Sequence, residues 1–317
     1  MSAERDTQVS FNFAVAKVVS ILLVVAGHYF NGSVLWVPVT VGLFVFAYSS
    51  AFFTARKYRT TSAQGQFWGN KIKRLAVPFL VAQSFLLAIF LATGRDGIWT
   101  WQTVLHWLGL SGWLNWLRLE NPSPFGAGMW FFTLLLIYYV AHPVIAYFQK
   151  TTVRARTSLI VAFLVAVVLH TTQHVGHALW MTAFGFWFGS YVANYPVGGS
   201  ARFWLLGAMA GTALMVGLSL AGFKGLNAYL LFGIDMTTVL WLGGTALSRR
   251  RPLTWLLRLT PCTLPIYMIH TYLFIDVGLP SGVAFTASLL LIIVCACILT
   301  KVAAGLERIV YAHSAHS

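Results

Sequence analysis

The sequence predicts an all-α polytopic membrane protein with about ten transmembrane helices and both termini in the cytoplasm. Three observations predict it. Of 317 residues, 58% are hydrophobic and only 9% are charged, whereas a soluble domain carries about 25% charged residues. Apolar runs near 20 residues, the length that crosses a bilayer as a helix, recur along the whole chain. The cations then fall almost entirely on one side of the resulting topology.

The expected spans cover residues 11–30, 35–53, 75–93, 129–148, 157–171, 178–195, 203–221, 229–247, 264–278 and 282–300. The fifth, ninth and tenth are the shortest or most interrupted. With both termini inside, only Arg95, Arg118 and Lys224 of the 21 lysines and arginines lie outside. Such asymmetry fixes orientation, because cytoplasmic loops retain cations. It also accounts for the net charge of +14 without nucleic acid as a partner: these cations face the anionic lipids of the inner leaflet. The expected location is the cytoplasmic (inner) membrane, as a multi-pass protein, with residues 1–317 forming a single membrane domain. The opening MSAERDTQVS is polar and mixed in charge, so no cleavable leader is expected. No repeat stands out, which leaves an inverted-repeat transporter without support.

Residues 94–128 form the longest outer segment. Trp99, Trp101, Trp107, Trp113 and Trp116 are too interrupted by polar residues for a span. The expected form is one or two helices lying in the interface, followed by a turn at Asn121-Pro122-Ser123-Pro124. Interfacial anchoring explains these rings; stacking of Trp113 or Trp116 on a sugar is the sharper reading.

Polar groups inside the spans carry the functional argument, since they usually face a bundle interior or a watered cavity. VAKVVSILLVVAGHYF, residues 15–30, holds Lys17 and His28. Eleven residues are close to three turns, so both lie on one helix face, roughly 16 Å apart along the axis. Lys17 suits either a cytoplasmic anchor or a functional cation; His28, near the outer end, suits either packing or catalysis. GNKIKRLAVPFL, residues 69–80, puts Lys71 and Arg74 on one face at the cytoplasmic entry of the third span, ahead of Pro78. That cluster reads either as an anchor or as a polyanion site. Asp235 and Asp276 fall in the outer halves of their spans, at a depth near that of His28. Either would serve as the carboxylate that orients a basic imidazole, or would instead pair with Arg118 or Lys224 or simply sit at the interface.

His170, His174 and His177 have spacings compatible with metal, but no Asp, Glu or Cys neighbours them, and no metal is expected. His142 reads as a packed residue of its bundle. Cys262, Cys295 and Cys297 fit no metal or redox spacing and read as small buried hydrophobes.

Together these residues resemble acyltransferase family 3 of integral membrane proteins. The resemblance is carried by Lys17 and His28, where the family shows arginine, ten residues and histidine. It extends through Ser50-Ala51-Phe52 in VGLFVFAYSSAFFTARKY, through Lys71 and Arg74 ahead of Pro78, and through MWFFTLLLIYYVAHPVI. It ends in PIYMIHTYLF, with Tyr267 and His270. Lysine replaces arginine at positions 17 and 71, alanine replaces glycine at 51, and Phe44 or Val45 stands where many members carry an acid. Lysine lacks the planar fork by which arginine grips phosphate or carboxylate.

The resemblance implies transfer of an acyl group, acetyl above all, from cytoplasmic acyl-coenzyme A to a hydroxyl of an extracytoplasmic glycan or lipid-linked sugar. It makes His28 the base or the acyl carrier, supported by Asp235 or Asp276. Lys17, Lys71 and Arg74 then bind acetyl-CoA or another acyl-CoA; Trp113, Trp116, Tyr267 and His270 face the acceptor. Two other classes fit the same residues: a flippase or transporter of a polar lipid, and an inactive membrane scaffold.

Overall fold

The computed structural model describes residues 3–313 apart from 32–33, 59–65, 127, 174–175, 248–250, 276–277 and 279. Thirteen α-helices are described. They are α1 (Ala3–Tyr29), α2 (Trp36–Lys57), α3 (Phe67–Ala92), α4 (Trp101–Trp107), α5 (Gly112–Trp116), α6 (Trp130–Phe148), α7 (Thr152–Thr172), α8 (His177–Asn194), α9 (Ala201–Leu220), α10 (Asn227–Gly244), α11 (Arg251–Leu256), α12 (Thr263–Ile269) and α13 (Ser281–His313). No strand occurs among the described residues. In lipid only hydrogen bonds within the segment satisfy the backbone, so helices are what this composition permits.

Eight of the described helices are long and apolar enough to cross a membrane: α1, α2, α3, α6, α7, α9, α10 and α13. The sixth expected span corresponds to α8, which has 18 residues and is richer in aromatic and small side chains. The ninth is not one continuous helix. Residues 257–262 form a 3₁₀ turn containing Pro261, α12 follows for seven residues, and 270–272 return to 3₁₀. Pro261 and Pro265 each remove a backbone donor, which a hydropathy window over 264–278 does not register.

The chain divides into two compact units. The first comprises residues 1–59 and 140–260. Here α2 packs against α1, α8 and α10, while α7 lies on α8 and α9 on α10. The core is aromatic, with Phe13, Phe44, Tyr48, Phe184, Phe188 and Phe232 in one cluster. Gly189 permits the α2–α8 contact, because a Cβ there would overlap the Tyr48 backbone. Asn12 sets the register of α1 against α10. Its Nδ2 donates to Leu242 O and Thr245 O, each at 2.8 Å, and Gln8 Nε2 donates to Leu247 O at 3.0 Å. The last carbonyls of a helix lack internal donors, and these side chains supply them.

The second unit comprises residues 60–139 and 261–317. Helices α3, α12 and α13 pack on one another. Phe79 of α3 stacks on Phe132 of α6 at 4.7 Å. The expected helices and turn of the outer segment are present as α4, α5 and the 121–126 turn. Thr133 of α6 holds them by accepting from Gly112 N at 3.0 Å and donating to Gly109 O at 2.8 Å. Thr103 and Ser123 join the turn to α4 through a buried 2.7 Å hydroxyl pair.

Candidate functional site

In the first unit, α1 is unbroken from Ala3 to Tyr29, so Lys17 and His28 keep their common face and their separation of about 16 Å. Lys17 is half-buried, with Nζ 5.7 Å from the centre of the Phe53 ring. His28 lies in the last turn of α1 and is exposed.

Asp235 is fully buried in α10, and neither carboxyl oxygen has a hydrogen-bond partner among the described residues. The expected pairing of Asp235 with His28 is therefore not formed. The reason is register. Asn12 opposite Leu242 and Gln8 opposite Leu247 place α10 antiparallel to α1, which sets Asp235 level with about residue 20. His28 is eight residues further on, roughly 12 Å along the axis. Asp276, the other carboxylate read from sequence, lies outside the described residues.

His170 and His177 have ring centres 6.3 Å apart, and His177 Nε2 is 3.4 Å from Thr40 Oγ1. His174 lies outside the described residues. Among the described residues no three ligating side chains gather in a way that could hold a metal.

In the second unit, Lys71 and Arg74 stand in the first turns of α3. Lys71 Nζ sits 4.3 Å above the Tyr139 ring and 5.6 Å from that of Phe67, where the negative ring faces hold a cation. Arg74 is exposed. The cluster thus presents one oriented and one open cation. Pro78 lacks an N–H, which leaves the Arg74 carbonyl without its usual i+4 donor.

Trp113 and Trp116 meet edge to face at 5.2 Å on α5, and Trp113 is 41% exposed. Tyr267 and His270 lie further in. The Tyr267 hydroxyl donates to Gly128 O at 2.9 Å and accepts from Phe131 N at 3.1 Å. His270 Nδ1 donates to Tyr267 O at 2.7 Å, and the ring is buried. Tyr272 donates from its hydroxyl to Phe125 O. Tyr267 and Tyr272 thus hold the start of α6 and the 121–126 turn in place.

Three features escaped the sequence reading. His106 of α4 and Gln83 of α3 are fully buried, and Gln83 Nε2 donates to His106 O at 3.2 Å. Burial pushes the His106 imidazole from 6.5 down to about 4, so the ring is neutral at physiological pH. Cys262 and Cys297, 35 residues apart, have Sγ atoms 3.4 Å apart, and both are free thiols. An open cavity of about 600 Å³ is lined by Thr93, Gly94, Arg95, Asp96, Pro122 and Pro124. It lies past the end of α3 opposite to Lys71 and Arg74, roughly 30 Å along that helix.

A family model described as an acyltransferase domain matches residues 12–302. No curated protein and no solved structure matches the chain.

Proposed function

Since the chain belongs to acyltransferase family 3, we propose that it transfers an acyl group, acetyl above all, from acyl-coenzyme A to a hydroxyl of an extracytoplasmic glycan or lipid-linked sugar. The family match over most of the chain carries this reading. The common face of Lys17 and His28 on one unbroken helix supports it. The donor is cytoplasmic, the acceptor is outside, and the protein resides in the inner membrane with both termini in the cytoplasm.

In the reaction, the acceptor oxygen bonds to the acyl carbon and the thioester C–S bond breaks. His28 takes the hydroxyl proton and passes it to the departing thiolate of coenzyme A. A positioned base of this kind contributes about 10²–10⁴-fold in rate. Lys71 and Arg74 bind the phosphates of the donor, as charge-assisted hydrogen bonds favour. Lys17 steers a phosphate or an amide carbonyl of the donor. Trp113 and Trp116 offer apolar faces to the acceptor, with Tyr267 and His270 supporting the acceptor side. Asp235 and Asp276 stay in the assignment as supporting acids; Asp235, roughly 12 Å along the helix axis from His28, acts without a direct hydrogen bond to it. No metal takes part.

The test is a balance sheet of products. Membranes containing the protein should consume acyl-coenzyme A in step with ester formed, and mass spectrometry of surface glycans should show the ester only when the protein is present. Movement of a lipid or glycan across the membrane with no thioester consumed would replace this reading with transport.

A further inference from the structure

The open cavity past the outer end of α3 has a set frame. The helix stops at Thr93-Gly94-Arg95. Gly94 takes the left-handed conformation, with φ 61°, and its N–H bonds Leu91 O at 3.3 Å, while Arg95 N donates to Phe90 O at 2.9 Å. These two bonds are a glycine C-cap, which satisfies the last carbonyls and turns the chain away from the helix. The cap fixes the backbone at Arg95, which with Asp96 lines the cavity of about 600 Å³. Its other wall, Pro122 and Pro124, belongs to the 121–126 turn. Gly97 backs onto that turn so closely that a Cβ would overlap Pro122 O. Thr100 Oγ1 donates to Gly97 O at 3.1 Å, and Ser123 N donates to Asn121 Oδ1 at 3.3 Å.

The charges narrow the chemistry. Only three of the 21 lysines and arginines fall in the expected outer segments. Arg95 is one of them, placed directly beyond a span, where this chain otherwise sheds its cations. Arg95 and Asp96 are both exposed, and among the described residues neither side chain has a hydrogen-bond or ion-pair partner. A guanidinium only donates and a carboxylate only accepts. A simple anion would meet Asp96, and a simple cation would meet Arg95. An acyl chain would find no large apolar side chain, because the rest of the lining is Thr93, Gly94, Pro122 and Pro124. A neutral diol suits the whole set: it accepts from Arg95, donates to Asp96 and lays its C–H face on the proline rings. The volume falls within the range of small-molecule sites, about 300–1,000 Å³, and the open mouth admits one unit of a longer chain.

We infer that the Arg95–Asp96 cavity is a binding subsite for a neutral saccharide unit of the acceptor glycan. The word acceptor rests on the acyl-transfer reading; the saccharide site does not.

The test uses the full chain purified in a polyoxyethylene detergent, which carries no sugar. The probes are maltotriose and cellotriose, both neutral, and the acidic trimer of galacturonic acid. Their binding is read by saturation-transfer difference NMR for wild type, Arg95→Gln, Asp96→Asn and the exchanged pair Arg95→Asp with Asp96→Arg. Both side chains are exposed, and Arg95 enters the cap through its backbone alone, so the variants should melt with wild type. A neutral trisaccharide should bind wild type, and each single change should weaken it roughly three- to tenfold by removing one hydrogen-bonding group. The exchanged pair keeps one donor and one acceptor group and should recover part of the binding.

The signs decide the class of ligand. Tighter binding of the galacturonate trimer in Asp96→Asn, with no neutral sugar bound, makes this an anion site and overturns the proposal. Displacement of nothing but phosphoethanolamine, a zwitterion, makes it a lipid-headgroup site and overturns it equally. Neutral saccharide binding that both single changes leave unaltered overturns it as well. In membranes that form ester, the same single changes should raise the apparent KM for acceptor more than that for acyl-coenzyme A. An acceptor KM that does not move overturns the assignment to the acceptor and leaves the catalytic reading standing. A wild type that binds the saccharide through Arg95 and Asp96 yet forms no ester overturns the catalytic reading and leaves the saccharide site.

Discussion

Replacing Asn12 by leucine should loosen the first unit at the seam that sets where Lys17 and His28 stand. Asn12 is fully buried and spends both Nδ2 hydrogens on the end of α10, at 2.8 Å to Leu242 O and 2.8 Å to Thr245 O. Gln8 Nε2 donates to its Oδ1 at 2.9 Å. Leucine matches the volume and removes every one of these bonds. The two lost bonds to the end of α10 at about 1 kcal/mol each, plus the penalty for a buried carbonyl left without a donor, give about 3 kcal/mol, the Gln8 amide keeping its bond to Leu247 O. At about 2 °C per kcal/mol for a chain this long, the unfolding midpoint should fall by roughly 6 °C. Gln8→Ala, at a half-exposed position, should cost about 1 kcal/mol. The assay is thermal unfolding of the purified full chain, followed by dye labelling of buried thiols. An Asn12→Leu protein that melts with wild type would refute the claim that side-chain capping of α10 fixes this register.

Three further outcomes follow from the same geometry. Lys71→Ala combined with Arg74→Ala should raise the apparent KM for acyl-coenzyme A and leave acceptor use unchanged. Added salt should mimic the double change by screening the exposed cation; the reverse pattern would reassign the cluster. Trp113→Leu keeps apolar surface but removes a flat face, so transfer to acceptor should weaken while hydrolysis of donor by water persists, and equal loss of both would indicate a folding role. Folded His106 resists protonation between pH 6.5 and about 4, so the unfolded chain binds the extra proton in that window and stability falls with pH. Across it, wild type should lose up to about 3 kcal/mol relative to His106→Gln; parallel acid melting curves would contradict this.

The membrane class and most helices were legible because lipid tolerates little besides long apolar helices, and α1, α2 and α3 follow their hydropathy closely. The ninth span misled because a window average gives Pro261 and Pro265 no weight as missing donors. The His28–Asp235 pairing failed for a different reason. Depth was inferred from position within each span, while actual depth follows the side-chain caps at Gln8 and Asn12, whose partners lie more than 200 residues away in sequence. Lys71 was recognisable as a cation, but its seat on Tyr139 was not, because that ring belongs to another helix. His106 hid in a seven-residue helix too short to show periodicity. Gln83 was legible in principle, as a lone amide in the apolar run LAVPFLVAQSFLLAIFLA, and intramembrane polar residues of that kind merit a partner search. The nearness of Cys262 to Cys297 is a tertiary fact, with no trace in their spacing.

The central claim is that His28 performs the proton transfer at one end of the helix face that begins at Lys17. Its most direct measurement is ester formation from acyl-coenzyme A by membranes carrying matched amounts of wild type, His28→Ala and Lys17→Arg. Alanine in the last turn of a helix is well tolerated, and His28 is exposed, so His28→Ala should express and melt like wild type. The account predicts that its transfer rate falls by about 10²–10⁴-fold, while Lys17→Arg, which gains the planar fork, stays active. Wild-type ester formation by a folded His28→Ala protein would contradict the account.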